Sequence, residues 1–253
     1  MSYPEASKRL NKAISDSGHC SRRKADELIQ QGAVTLNDQP VSLGDRVMPG
    51  DVIKIHGKIL DAPKNDVYLM LNKPEGITCT TDQRVKDNVV DFIKYPERIF
   101  HVGRLDKPSE GLLLMTNDGD IVNKILRAGN RHEKEYIVRV DRPINNEFVQ
   151  RMSRGIPILD TVTKPCQVER LSRFVFRIVL VQGLNRQIRR MCDYLNFEVV
   201  ALKRVRIMNL TLGDLPKGQW RHLTSDEISG LQNSLIDSDN TPYSASDLEQ
   251  DFN

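Results

Sequence analysis

In the first fifty residues, apolar positions recur at helical spacing and then at strand spacing. Between Lys8 and Ser17, apolar residues three and four positions apart predict a short helix that ends at Gly18. Ser21 is a candidate N-cap for a second helix, whose buried stripe runs from Ala25 to Ile29. The segment VTLNDQPV predicts two short strands around an Asn37-Asp38 turn, and VMPGDVIKI predicts another strand pair.

The longer apolar segments follow in the second part of the chain. The run from Leu112 to Thr116 ends in an Asn-Asp-Gly turn and predicts a buried strand after a loop that contains glycine and proline. Alternation from Tyr136 to Val140 predicts a second strand. From Ile188 to Leu195, apolar positions three, four and seven apart predict an amphipathic helix with arginines on another face.

Composition divides the chain into four segments. Residues 7–56 form a compact region in which apolar and polar positions alternate. Residues 57–66 (GKILDAPKND) combine Gly, Pro and mixed charge, which is typical of a linker. Residues 67–233 hold most of the apolar segments. Residues 234–253 are rich in Ser, Asp, Asn and Gln, which predicts a disordered acidic tail.

The net charge of +3 conceals an uneven distribution. From Thr224 onward the chain has seven acidic residues and no Lys or Arg. Before Thr224, 37 basic residues stand against 27 acidic ones, a net charge of +10. This excess favours a polyanionic partner, although many proteins are mildly basic.

Several functional classes are disfavoured by what the sequence lacks. No apolar run approaches the ~18 residues of a membrane helix, and the N-terminus has no secretory signal, so a cytoplasmic protein without a membrane partner is expected. Cys20, Cys79, Cys166 and Cys192 are scattered and contain no C-x-x-C pair, which predicts reduced thiols rather than a disulfide framework or zinc site. The chain has no G-x-G-x-x-G and no P-loop.

The first turn of the second predicted helix is unusually basic. Arg22, Arg23 and Lys24 face the positive end of the helix dipole, at a cost of a few tenths of a kcal/mol each. Phosphate binding at this turn would offset that cost, because free N–H groups and basic side chains would meet one anion. A solvated basic turn is the alternative.

The segment RLNKAISDSGHCSRRKADELIQQGAVTLNDQPV resembles the S4-type (αL) RNA-binding domain. The resemblance implies RNA binding through Arg22, Arg23 and Lys24. Asp38 stands where the family usually has Gly, and Asp also tolerates the left-handed conformation of that turn.

A second resemblance is longer. GRLDKPSEGLLLMTNDG is similar to the signature of the pseudouridine synthases that modify small-subunit and large-subunit ribosomal RNA, and it continues in LNKPEGITCTT, HEKEYIVRV and VQGLNRQIRRM. LRAGNRHEKEY points to the F group of the large-subunit enzymes. Together the resemblances imply an α+β fold, in which a small S4-like domain (7–56) is joined by a linker (57–66) to a larger mixed-sheet catalytic domain (67–233).

The chemistry of pseudouridine formation suits a carboxylate nucleophile, which can add and leave again. The reaction moves the bond at ribose C1′ from uracil N1 to C5 and consumes nothing, so no cofactor and no metal are expected. In the family the essential Asp lies in G-R-L-D, which is Asp106 here. The family's Q-[IL]-R motif implies that Arg189 keeps this carboxylate ionised. Attack at C1′, attack at C6 and a glycal intermediate all stay open.

Further site residues are implied by matching family motifs. Tyr136 matches the active-site tyrosine, which can stack on an extruded uracil and help to move the C5 proton; its pattern alone would make it a core residue. The resemblance also implies that Leu180 packs against the base and that Arg104 holds the RNA. Arg186 and Arg190 are expected to contact RNA or to have a structural role. Lys73 and Pro74 are expected to support the active-site loop.

The resulting hypothesis is an isomerase acting on a specific uridine of large-subunit (23S) ribosomal RNA. A monomer is expected, and a transfer RNA as a second substrate is left open. One alternative is a non-catalytic S4-type RNA-binding or ribosome-assembly protein, which would not need Asp106. Another is a glycosidase, a class that usually shows two working carboxylates.

Overall fold

The computed structural model describes residues 7–62, 65–127, 130–236 and 238 of the 253-residue chain. Two units are distinguished by their internal contacts. The first contains the residues up to Asp66 together with Tyr95–Ile99, and the second contains Val67–Lys94 and the residues from Phe100 onward. No helix in the described ranges is both long and apolar enough to span a membrane.

The first unit packs two helices on short strands around a core of Leu10, Ile14, Ala25, Ile29 and Val34. Its elements are β1 (Lys8–Arg9), α1 (Leu10–Asp16), α2 (Arg22–Gln30), β2 (Val34–Leu36), β3 (Gln39–Pro40), β4 (Arg46–Val47), β5 (Ile53–Ile55) and β6 (Lys58–Ile59). In one sheet β3, β2, β5 and β6 are neighbours in that order, and β1 pairs with β4.

Two expectations for this unit differ from the structure. Helix α1 begins at Leu10 rather than Lys8, because Lys8 and Arg9 pair as a strand with Val47 and Arg46. The strands predicted in VMPGDVIKI do not pair with each other: β4 joins β1, whereas β5 lies between β2 and β6. Strand partners are tertiary contacts, which local alternation cannot specify.

The predicted hairpin around Asn37 and Asp38 is present, and both residues have positive φ, 50° and 64°. These values match the left-handed residues of a tight hairpin turn. Strand β6 lies within the segment 57–66 that composition assigns to a linker. The domain boundaries remain predictions.

The second unit carries the longer elements. They are β7 (Tyr68–Lys73), α3 (Val89–Ile93), β8 (Phe100–Val102), β9 (Glu110–Thr116), α4 (Asp120–Leu126), β10 (Lys134–Val140), α5 (Asn146–Arg154), β11 (Pro157–Ile158), β12 (Thr161–Val162), β13 (Gln167–Arg170), β14 (Val175–Leu180), α6 (Gln187–Tyr194), β15 (Val199–Ile207), β16 (Leu210–Thr211), β17 (Trp220–His222) and α7 (Ser225–Ser234).

Among the described residues, nine of these strands form a mixed sheet, and β11 and β12 pair separately with each other. The main order of the sheet is β13-β14-β10-β15-β9-β7-β17, with β16 beside β15 and β8 beside β9. The pair β9–β15 is parallel and the other pairs are antiparallel. Leu112 to Met115 in β9 are fully buried, as expected for an apolar strand at the centre of a covered sheet.

Two apolar cores meet at the parallel pair. One contains Phe148, Phe176 and Met191 and packs α5 and α6 against β10 and β14. The other contains Leu114 and Leu231 and includes α4 and α7. Strand β15 contributes to both cores. Hydrogen bonds from Arg189 in α6 to Pro108 and Ser109 bring the start of α6 against the loop before β9.

The predicted acidic tail lies largely outside the described residues. Helix α7 continues to Ser234, and Leu235 is buried in the second core. A capping box at Thr224 begins this helix: its hydroxyl accepts from the Glu227 N–H, and the Glu227 carboxylate accepts from the Thr224 N–H.

Candidate active site

Asp106 lies in the loop that joins β8 to β9. Its backbone carbonyl accepts a hydrogen bond from the Ser109 N–H at 3.0 Å, which closes a turn over Lys107 and Pro108. The Asp106 side chain is 32% exposed, so a substrate can reach the carboxylate. Gly103 begins the loop at φ +71°, where a Cβ would lie only 2.9 Å from Leu126.

Arg189 in α6 brings a guanidinium group to this carboxylate. Its Nε lies 3.5 Å from Oδ2 of Asp106. Its Nη1 donates to the carbonyl of Val199 at 3.2 Å, and its Nη2 donates to the carbonyl of Pro108 at 3.3 Å and the hydroxyl of Ser109 at 3.2 Å. The side chain is only 12% exposed, so the ion pair forms in partly desolvated surroundings, where the attraction is stronger than in water.

Arg186 supplies a second, looser cation. Its Nη1 lies 3.9 Å from Oδ2 of Asp106, and the side chain is 48% exposed. Arg186 precedes α6 with a left-handed backbone, φ 48° and ψ 32°. This conformation is uncommon for a residue with a Cβ and costs on the order of 1 kcal/mol, and such outliers concentrate at functional sites.

A pocket of about 690 Å³ opens beside Asp106. Tyr136 lines it from β10, where its neighbours across the sheet are Ile178 and Arg204. Leu180, at the end of β14 and 3% exposed, provides an apolar wall. This volume lies in the usual range for small-ligand pockets and suits a single nucleotide unit. Six of the residues expected at the site line this one pocket: Asp106, Tyr136, Arg189, Arg104, Leu180 and Arg186.

Lys73 lies beneath the loop rather than in the pocket. It is fully buried, and its Nζ donates to the carbonyls of Ser109 and Pro74, each at 2.8 Å. Burial lowers the pKa of Lys73, and the neighbouring Cys79 and Asp106 oppose that effect. Lys73 Nζ thus links the carbonyl of Pro74 to the carbonyl of Ser109 at the end of the loop.

The other expected residues do not line the pocket. Arg190 folds back on Asn185 and donates to its carbonyl at 3.1 Å and to its side-chain oxygen at 3.0 Å. Arg22, Arg23 and Lys24 lie exposed in the first turn of α2. Ser21 caps that helix by accepting from the Lys24 N–H, as its position predicts.

Arg204, Ser109 and Cys79 are among the buried pocket residues that were not anticipated from the sequence. Arg204, 2% exposed, donates through Nε to the Leu112 carbonyl at 2.8 Å and through Nη1 to the Arg104 carbonyl at 3.4 Å. Ser109 is 1% exposed, and Cys79 accepts from the Leu105 N–H. Burial raises the pKa of the Cys79 thiol and so favours its neutral form. Arg204 carries no local signal, because in VVALKRVRI it is one of several strand cations.

The pocket wall is strongly basic. One acidic residue, Asp106, lines its described part, together with six basic residues: Arg104, Lys107, Lys134, Arg186, Arg189 and Arg204. This excess suits a substrate that carries phosphates. Among the described residues, no group of three or more His, Cys, Asp or Glu is arranged to hold a metal ion.

Comparison with known proteins agrees with this geometry. The RNA pseudouridylate synthase family model matches residues 67–194, and the S4 domain model matches residues 8–53. The dual-specificity RNA pseudouridine synthase RluF of Escherichia coli (strain K12) is 56% identical over 230 residues, which span 90% of this chain and 79% of that protein. The ribosomal large subunit pseudouridine synthase B of Bacillus subtilis (strain 168) is 36% identical over 233 residues, spanning 88% of this chain and 95% of that protein.

Among solved structures, a crystal structure of a pseudouridylate synthase matches with a TM-score of 0.65 and 31% identity, covering 88% of this chain and 99% of that one. The predicted α+β fold, an S4 domain followed by a mixed-sheet synthase domain, is confirmed. The chain therefore belongs to the RNA pseudouridine synthases that carry an N-terminal S4 domain, and it is an isomerase that acts on uridine in RNA.

Proposed function

We propose that the chain converts a specific uridine of large-subunit ribosomal RNA to pseudouridine, with Asp106 as the nucleophile. The observation that carries the catalytic assignment is the partly exposed Asp106 carboxylate in the pocket, with Arg189 Nε 3.5 Å away. The name of the Escherichia coli relative supports the RNA class, and the name of the Bacillus subtilis relative supports the large-subunit target.

The proposed reaction is balanced without a co-reactant. The bond between ribose C1′ and uracil N1 breaks, the base turns, and a bond forms between C1′ and C5. The proton on C5 is lost and N1 gains one, so nothing is oxidised or reduced. Asp106 adds in the first half of the reaction and is released in the second.

Arg189, with its Nε 3.5 Å from Oδ2, holds the Asp106 carboxylate in position for the attack. The base must leave the RNA stack to enter the pocket. There the Tyr136 ring offers a stacking surface and its hydroxyl a group for moving the C5 proton, while Leu180 packs against the base. The exposed Arg104 at the pocket is placed to hold the RNA from which the base is extruded.

The first unit is proposed to bind RNA phosphates through Arg22, Arg23 and Lys24. Their exposure leaves the Arg22 and Arg23 side chains accessible, although Lys24 is engaged with Glu27 at 2.8 Å. The free N–H groups at the start of α2 add to the attraction for an anion. For Arg190 we retain a role on RNA or in the structure of the loop before α6.

We further propose a cytoplasmic protein, because ribosomal RNA is the proposed target, and a monomer, because Asp106, Tyr136 and Arg189 of one chain meet in one pocket. The word "dual-specificity" in the name of the Escherichia coli relative supports a second RNA substrate, for which we propose a transfer RNA.

The test is tritium release from RNA labelled at uracil C5, with purified protein and unmodified ribosomal RNA. We expect release without an added cofactor, near-complete loss in Asp106→Asn, and unchanged RNA binding by that variant. Asp160→Asn is a matched control, because Asp160 is exposed and outside the pocket. An Asp106→Asn variant as active as the parent would overturn the catalytic assignment.

A further inference from the structure

Ser109 occupies a junction beneath the proposed nucleophile. It is 1% exposed and directly precedes β9. Its N–H donates to the Asp106 carbonyl at 3.0 Å, its carbonyl accepts from Lys73 Nζ at 2.8 Å, and its hydroxyl accepts from Arg189 Nη2 at 3.2 Å. Two of these bonds use the backbone, so only the contact with Arg189 depends on the side chain being serine.

The Arg189 guanidinium is held through its two Nη atoms, and its Nε faces Asp106. Nη1 and Nη2 have acceptors, whereas the buried Nε has no hydrogen-bond partner and lies 3.5 Å from the carboxylate. Because the guanidinium is planar and rigid, the bonds made by the two Nη atoms determine where Nε points. The hydroxyl of Ser109 is the side-chain member of those bonds; the others go to backbone carbonyls.

We propose that Ser109 is a positioning residue for the isomerisation: its hydroxyl orients Arg189, and Arg189 in turn holds the Asp106 carboxylate in position to attack. Ser109 acts through Arg189 and forms no bond to the substrate. This inference rests on the proposed function of Asp106 and Arg189.

The first test compares Ser109→Ala with the parent in tritium release under single-turnover conditions. Alanine keeps both backbone bonds and removes only the hydroxyl. We expect the rate of the chemical step to fall about tenfold, the size expected for one lost hydrogen bond to a charged group. RNA affinity should change less than about twofold, because a residue acting on chemistry alone affects the maximal rate and not binding. A Ser109→Ala variant that keeps the parent rate overturns the proposal.

The second test separates positioning from a general structural effect. Ser109→Ala is combined with Arg189→Lys, since one ammonium group cannot face Asp106 and also reach Ser109. If Ser109 acts through Arg189, adding Ser109→Ala to the lysine variant lowers the rate by less than about twofold. If Ser109→Ala lowers the rate of the Arg189→Lys variant by a further tenfold, Ser109 acts independently of Arg189 and the proposal is overturned.

Ser109→Cys keeps the side chain's shape but replaces the acceptor oxygen with a somewhat larger sulfur, which accepts hydrogen bonds weakly. We expect it to lose about as much rate as Ser109→Ala while unfolding at the parent's urea concentration. A folded cysteine variant with the parent rate overturns the proposal, and it does so even if the alanine variant fails to fold. If Ser109→Ala is fully active while Asp106→Asn is inactive, only the proposed role of Ser109 is wrong. If Asp106→Asn is active, the proposed function falls as well.

Discussion

Gly111 and Arg204 face each other across the parallel pair of β9 and β15 so closely that a Cβ on Gly111 would lie 2.2 Å from the Arg204 carbonyl oxygen. Gly111 also has φ +108°, a conformation that residues with a side chain rarely adopt. The Arg204 side chain bonds to the carbonyl of Arg104 at the start of the active-site loop. Strand β15 therefore has two roles: its backbone leaves no room for a side chain at position 111, and its Arg204 holds the loop that carries Asp106.

Gly111→Ala should lower the free energy of unfolding by about 3 kcal/mol or more, because the new methyl meets backbone and the φ angle is strained. Urea unfolding followed by the fluorescence of Trp220, the single tryptophan, measures this. Gly183→Ala is the control, since nothing lies within 4 Å of its Cβ position. A loss below about 1 kcal/mol at Gly111 would show that the strands separate at little cost.

Arg189→Lys should slow the chemical step about a hundredfold while the protein stays folded, because a lysine cannot make the Nη bonds and also face Asp106. Single-turnover tritium release measures the rate. Arg154→Lys, on an exposed position of α5 outside the pocket, should behave as the parent. Equal rates for the two variants would mean that charge alone suffices at position 189.

The double substitution Arg22→Glu with Arg23→Glu should weaken RNA binding and flatten its dependence on salt. Each lost phosphate contact removes about 0.7 from the slope of log K against log salt for single strands. Filter binding across a salt series measures the slope. Arg151→Glu with Arg154→Glu on α5 changes the net charge equally and should leave the slope nearer the parent's. An unchanged slope in the Arg22 and Arg23 variant would rule out phosphate contacts there.

Glu227 should make stability depend on pH. The hydrogen bonds from Arg221, at 2.7 Å each, lower the pKa of Glu227, and the Thr224 N–H adds to this effect. A lowered folded-state pKa stabilises the protein above the ordinary Glu range, and that stability is lost as pH falls through the folded value. Glu227→Gln should therefore be about 1–2 kcal/mol less stable at neutral pH.

Urea unfolding of both proteins at neutral and acidic pH tests this. The difference between parent and Glu227→Gln should begin to shrink as pH falls below the ordinary Glu pKa of about 4.3, where the unfolded chain takes up the proton first, and it should vanish once pH has fallen through the lowered pKa of the folded state. Asp226→Asn, in the same helical turn, is the control and should differ little from the parent at either pH. A difference of the same size at both pH values would contradict the role of the Glu227 charge.

Local elements were well predicted where one segment carries its own signal. Ser21 caps α2, the run before the Asn-Asp-Gly turn forms β9, and the stripe from Ile188 forms α6. These features depend on neighbours within a few residues, so periodicity and capping preferences suffice. The start of α1 was misplaced because Lys8 and Arg9 are drawn into a strand by Arg46 and Val47.

The proposed site shows the same division. Motif matching alone selected Asp106, Tyr136 and Arg189, and the fold places all three on one pocket. Ser109 and Arg204 lie beside them but had no signal of their own, because a serine in a loop and an arginine in a strand are usually exposed. Arg204 lies where β15 runs parallel to β9, and Ser109 directly precedes β9, so both sit at a pairing between segments about ninety residues apart in the chain.

Residue types in fixed local spacing were thus enough to indicate the family, the RNA-binding class and the residues that we propose as catalytic. Tertiary structure decided which cation faces Asp106, with Arg189 at 3.5 Å and Arg186 at 3.9 Å, and which side chains hold it there. The reason is that orientation and burial depend on contacts between strands and helices distant in the chain, and no local pattern records those contacts.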